Sequence, residues 1–156
     1  MKRRGFTLVE AIVVAAIMGI ILLVLNSAFS EFFIGSNVSE VQTNVAGLLR
    51  DARARTLASE SKMVYGVHFD MLASRAVLFR GAAYLAGDAA NEPYQLPPTT
   101  AIYSINLGGP VDVVFQALTG YASASGTAVF QSKRELSRRA TTTILGTGAV
   151  CAGPSC

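Results

Sequence analysis

From Phe6 to Leu25 the chain is apolar at nearly every position, and Glu10 is the only charge between Phe6 and Ser30. A run without a polar face predicts a helix suited to an apolar surrounding rather than to a wet surface. Twenty helical residues rise about 30 Å, the thickness of a bilayer core. Past Ser30 the pattern turns amphipathic. Val38, Val41, Val45, Leu48, Leu49 and Ala52 recur at helical spacing, while Glu40, Asn44, Arg50 and Asp51 fall largely off that stripe. No proline occurs before Pro93, so one helix is expected from Phe6 to about Ser59. Gly19, Gly35 and Gly47 weaken it by up to about 1 kcal/mol each relative to alanine. Asn26-Ser27 is a candidate soft spot. The first half is expected against lipid or other apolar helices, the second against its own domain.

The period then changes from 3.6 to 2. Met63, Tyr65, Val67 and Phe69 share one face of a strand, and Arg75–Arg80 forms a second after a turn at Asp70–Ser74, giving a hairpin. Gly81–Pro98 reads as a loop, with room for a short edge element. Further strands are predicted at Ala101–Leu107, Val111–Gln116, Gly126–Gln131 and Arg138–Leu145. Turns at Gly108-Gly109-Pro110, Thr119-Gly120, Ser125-Gly126 and Gly146-Thr147-Gly148 separate or follow them. Ala149-Val150 leads into the terminal C-A-G-P-S-C. One long helix followed by short strands gives an α+β fold with antiparallel sheets. The chain divides as 1–5, a basic leader; 6–30, the apolar helix; 31–60, its amphipathic continuation; and 61–156, a β domain.

Charge changes the picture once. The net charge of +3 is accounted for by Lys2, Arg3 and Arg4 in the leader, so the body is formally neutral. That removes any global electrostatic case for nucleic-acid binding. Arg50, Arg53 and Arg55, with Asp51 and Glu60 nearby, read as a solvated helix face. A basic leader before an apolar span places the leader in the cytoplasm and the body beyond the membrane. Disulfides persist there, so Cys151 and Cys156 are expected to close a small loop; two unrelated thiols is the alternative.

The apolar stretch can be read as a cleavable signal peptide, with Ala28-Phe29-Ser30 as a weak cleavage site, or as a plain membrane anchor. Neither explains a carboxylate inside the run, which costs about 2.5–3.5 kcal/mol near a bilayer centre. Gly5-Phe6-Thr7-Leu8-Val9-Glu10 resembles the processing motif of type IV prepilins and type II secretion pseudopilins. The resemblance implies cleavage by prepilin peptidase between Gly5 and Phe6 and N-methylation of Phe6. It also implies that Glu10 pairs with the terminal amine of a neighbouring subunit during filament assembly. The physics agrees, because an amine and a carboxylate meeting in an apolar core offset each other's desolvation. Gly19 matches a glycine common in pilin helices. Ser27 stands where many pilins carry a proline, which favours a pseudopilin or minor pilin over a major one.

The runs V-V-F-Q-A-L-T-G, S-G-T-A-V-F and T-T-I-L-G-T-G-A-V resemble the C-terminal half of the GspH/FimT family of minor pseudopilins and minor pilins. That implies a long helix packed on two small β-sheets, and other pilin or pseudopilin subunits and the inner membrane as partners. No nucleophile with its base, no paired acids and no metal cluster stand out, so the expectation is a structural subunit, not an enzyme, with no cofactor, metal or small-molecule substrate. His68 reads as solvent-facing or sheet-packed. A calcium site of the kind some major pseudopilins carry is not expected, since no acid follows Glu135. Lys133, Arg134, Arg138 and Arg139 face one acid, Glu135. They read as a solvated hairpin, with contact to DNA or to a partner subunit as the alternatives.

Overall fold

The structure, a computed structural model, describes residues 8–154 and 156, and within its helix the side chains of residues 24–36 are not described. One helix, α1, runs Leu8–Leu57, and a single 3₁₀ turn follows at Glu60–Lys62. The chain forms two compact units, Met1–Phe33 and Ile34–Cys156.

In the second unit, α1 buries Val38, Val41, Val45, Ala46, Leu49 and Ala52 in one core cluster. This is the stripe that the spacing predicts, with Ala46 added and Leu48 at its margin. Each large side chain buried this way contributes about 1.5–3 kcal/mol. The helix ends where Ser59 adopts a left-handed conformation, φ 53°. Thr56, fully buried, ties that end to the sheet: its Oγ1 donates to the Ala52 carbonyl at 2.8 Å and accepts the Tyr65 N–H at 2.9 Å.

Among the described residues eight strands form two antiparallel sheets. They are β1 (Tyr65–Asp70), β2 (Arg75–Arg80), β3 (Glu92–Gln95), β4 (Thr100–Asn106), β5 (Asp112–Val114), β6 (Gly126–Ser132), β7 (Arg139–Ile144) and β8 (Val150–Ala152). One sheet has the order β3-β2-β1-β5 and the other β4-β6-β7-β8. The fold is therefore α+β, with two sheets meeting the helix in one core. Tyr65, Val67, Phe69, Leu78 and Phe115 come from the first sheet's inner side, and Ile102, Ala128, Phe130 and Ile144 from the second's.

Three features go beyond the pattern reading. Gly108-Gly109-Pro110 does not close a hairpin, because β4 and β5 lie in different sheets and this turn carries the chain between them. Gly108 and Gly109 have φ of +79° and +131°, which other residues adopt only with strain. The loop after β2 holds an edge strand, β3, whose Pro93 sits opposite Val77; an edge tolerates the missing donor. Finally, β8 is a real third partner of the β6–β7 pair, too short to show a period.

The first sheet is also covered on its outer side. Val77 and Phe79 are buried there, outside the main cluster. Gly66 lies opposite Phe79, and a Cβ on Gly66 would stand 2.7 Å from the Phe79 ring. The loop between β2 and β3 lays Tyr84 edge-on to Phe79, with centroids 5.7 Å apart, and flat on His68 at 4.0 Å. His68 is thus sheet-packed, with Nδ1 2.5 Å from Asp112 Oδ1.

Candidate assembly helix and basic hairpin

The cleavage and methylation positions, Gly5 and Phe6, lie outside the described residues. Glu10 falls in the first turn of α1. Around it Leu8, Val9, Ile12, Ile17, Met18, Leu22 and Leu23 are all at least half exposed. Continuous apolar exposure of this extent marks a surface made for a protein or a membrane partner. Among the described residues no helix is long and apolar enough to cross a membrane. The expected span, Phe6–Leu25, runs past those residues at its start and into the helix stretch without described side chains.

The basic hairpin connects β6 to β7. Lys133 and Arg134 are exposed, and the Ser132 hydroxyl accepts the N–H groups of Arg134 and Glu135, which sets the turn. Arg138 Nε lies 3.3 Å from Glu135 Oε2. Arg139 crosses the outer face of the sheet to place its guanidinium 4.0 Å over the Tyr103 ring. The structure therefore gathers the four cations on one hairpin but engages two of them within the domain.

Cys151 and Cys156 form a disulfide with Cα atoms 5.4 Å apart. It fastens the end of the chain directly behind β8.

The helix arginines are partly solvated, Arg50 exposed and Arg53 and Arg55 half-buried, and they also make contacts across the domain. Arg50 donates to the Val150 carbonyl at 2.9 Å, and Arg53 donates to the carbonyls of Gly120 at 3.0 Å and Thr147 at 3.4 Å. Arg55 pairs with Asp51 at 2.8 Å and Glu92 at 2.5 Å, which holds its guanidinium pKa above the usual arginine value. All three fasten the helix to the β domain, Arg50 to β8, Arg53 to two turns and Arg55 to β3. The available signal was positional: Arg50 and Arg53 border the buried positions Leu49 and Ala52.

Residues 1–26 match the family described as the prokaryotic N-terminal methylation motif. The fold is similar to that of the minor pseudopilin EpsH from the Type 2 Secretion System of Vibrio cholerae, with a TM-score of 0.56 and 13% identity over 74% of this chain and 95% of that one. A comparison with curated proteins finds no match. The chain thus joins a prepilin-type methylation motif to a pilin-like α+β fold.

Proposed function

We propose that this chain is a structural subunit, a minor pseudopilin or minor pilin, of a type II secretion or type IV pilus filament. It is made as a prepilin, cut by prepilin peptidase after Gly5 and methylated on Phe6. Phe6–Leu25 holds it in the inner membrane as a single pass, with the β domain on the far side, until it assembles with other pilin-like subunits. The observation that carries this reading is the methylation motif at residues 1–26 on a helix whose apolar side chains are exposed. The similarity to EpsH, itself a minor pseudopilin, supports it.

Glu10 is the assembly residue in this reading. In an apolar filament core, a subunit out of register would leave a carboxylate and an amine buried apart, which costs several kcal/mol. The pair therefore sets the axial step. Glu10→Ala is expected to insert in the membrane and lose its leader normally, but to drop out of sheared filament fractions. Unchanged incorporation beside wild-type subunits refutes the role. DNA capture by Lys133, Arg134, Arg138 and Arg139 gains no support from the geometry, because Glu135 and Tyr103 engage two of the four.

A further inference from the structure

Arg50, Arg53 and Leu57 of α1 line one side of an open cleft of about 260 Å³, and Gly148, Ala149 and Val150 line the other. The three helix positions share a face because they lie three and four residues apart. The groups that hold the two guanidiniums are neutral carbonyls, Val150 for Arg50 and Gly120 and Thr147 for Arg53. These bonds fix the side chains and leave their charges uncompensated, and each guanidinium keeps several N–H donors for a further partner. Among the described residues neither arginine forms an ion pair. Asp51, next to Arg50 in sequence, is turned to Arg55. The β-domain segments that meet the helix here, 116–125 and 146–152, contain no acidic residue. Like charges this close on a helix repel, so the fold holds both at a cost that an anion between them would remove.

At one end the cleft borders an apolar patch. Leu57 packs on Gly120, where a Cβ would stand 3.1 Å from a Leu57 methyl. Gly120 closes a tight turn by donating to the Gln116 carbonyl at 2.9 Å, and within it the Thr119 N–H donates to the Ala117 carbonyl at 2.9 Å. The residue between those two, Leu118, has a φ of +69°. This is a γ-turn of the rare, strained hand. Its apex, Leu118, is 90% exposed, and Tyr121 beside it is half exposed. Strain that holds a leucine out in water adds nothing to the core, and such backbone gathers at binding surfaces.

The geometry points to a docking site for a loop of another protein, which sets one carboxylate between Arg50 and Arg53 and an apolar side chain against Leu57 and Leu118. Charge complementarity selects the carboxylate, whose two oxygens match the guanidinium fork. The cleft is smaller than the roughly 300–1,000 Å³ of ordinary small-molecule sites, which suits a single inserted side chain. The carbonyls already hold both arginines, so little side-chain freedom is lost on binding. One folded chain carries the whole site, which depends neither on Glu10 nor on filament assembly.

The test uses the ¹⁵N-labelled full chain in detergent micelles. The probes are an end-blocked tetrapeptide of alanine, leucine, glutamate and alanine, and acetate as a free carboxylate. Millimolar peptide is expected to shift the Nε–H signals of Arg50 and Arg53 and the amides of Leu118 and Gly148, saturably. Glutamine in place of the probe's glutamate should weaken binding about tenfold, the effect of losing a charged hydrogen bond. Arg50→Gln, at an exposed position, should do the same while the core amides stay in place. Leu118→Gly relieves the turn, so its melting temperature should hold or rise, yet it should weaken the peptide several-fold and leave acetate unaffected. Equal binding by the glutamine probe, shifts confined to residues 133–139, or no saturable shift overturns the proposal. Acetate that binds as tightly as the peptide, in wild type and Leu118→Gly alike, assigns the cleft to a free carboxylate and overturns the partner named here. The same shifts on concentrating the chain without probe assign it to a second copy, with the same consequence.

Discussion

Arg53 on α1 and the carbonyl of Gly120 meet at 3.0 Å, and the backbone of Gly148 is packed onto the same spot. A Cβ on Gly148 would stand 1.9 Å from the Gly120 oxygen and 2.8 Å from Arg53 Nε, at a φ of +79°. Three segments far apart in sequence share one point.

Gly148→Ala is therefore expected to destabilise by about 2–4 kcal/mol, from the left-handed backbone and the displaced carbonyl together. At Gly146 an added methyl would meet nothing within 4 Å, and φ is not positive. Gly146→Ala should stay within about 0.5 kcal/mol. Urea unfolding of the two variants in parallel checks the contrast, and equal losses refute it.

Arg53 should matter more than Arg55, although Arg55 has the two ion pairs. The carboxylates facing Arg55, on Asp51 and Glu92, are 45% and 54% exposed, and such pairs contribute about 0–1 kcal/mol. Arg53→Met strips charged donors from two backbone carbonyls, a loss of about 1.5–3 kcal/mol. Thermal melts should rank Arg53→Met below Arg55→Met, and only the Arg55 effect should shrink in high salt.

Asp70 gives the fold an acid-range dependence. It accepts the Ala73 N–H at 2.9 Å in the β1–β2 turn and faces Arg75, which together hold its pKa below the ordinary 3.8. A depressed carboxylate pKa stabilises above the unfolded value, and that contribution is lost as pH falls through the folded one. Asp70→Asn should lower stability at pH 7 and flatten the decline below about pH 4. Parallel wild-type and variant slopes between pH 5 and about pH 2 speak against the role.

The disulfide closes a short loop, so its chain-entropy contribution is small, about 2 kcal/mol. Replacing both Cys151 and Cys156 by serine should lower the unfolding free energy by that amount and leave the near-UV spectrum of the core unchanged. A loss of fold would show that the loop does more than restrain the unfolded chain.

Much of this architecture is written in local periodicity. The stripe Val38–Ala52 and the alternation in β1 are visible because each buries one face against one core. Elements of three or four residues, such as β3 and β8, carry too few positions to show a period. The anchoring contacts of the arginines were hidden for a different reason. Their sequence neighbours Asp51 and Glu60 suggest charges balanced in solvent, but Arg50 and Arg53 find carbonyls at Val150 and Gly120, which no local pattern encodes. Glu10 was conspicuous because nothing near it resembles it.

In β2 the residues Ala76, Val77, Leu78 and Phe79 are apolar on both faces, and all four are buried. Hydrophobic alternation ordinarily fixes the alignment of two strands, because a slip by one residue would move the apolar set into water. Here a slip would exchange one apolar set for another, and that safeguard is weak. Gly66 replaces it. Only a residue without a Cβ fits against the Phe79 ring, and a shift in either direction would bring Tyr65 or Val67 there instead. The β1–β2 alignment is thus keyed by a single missing side chain, a lock in which the notch rather than the tooth carries the information.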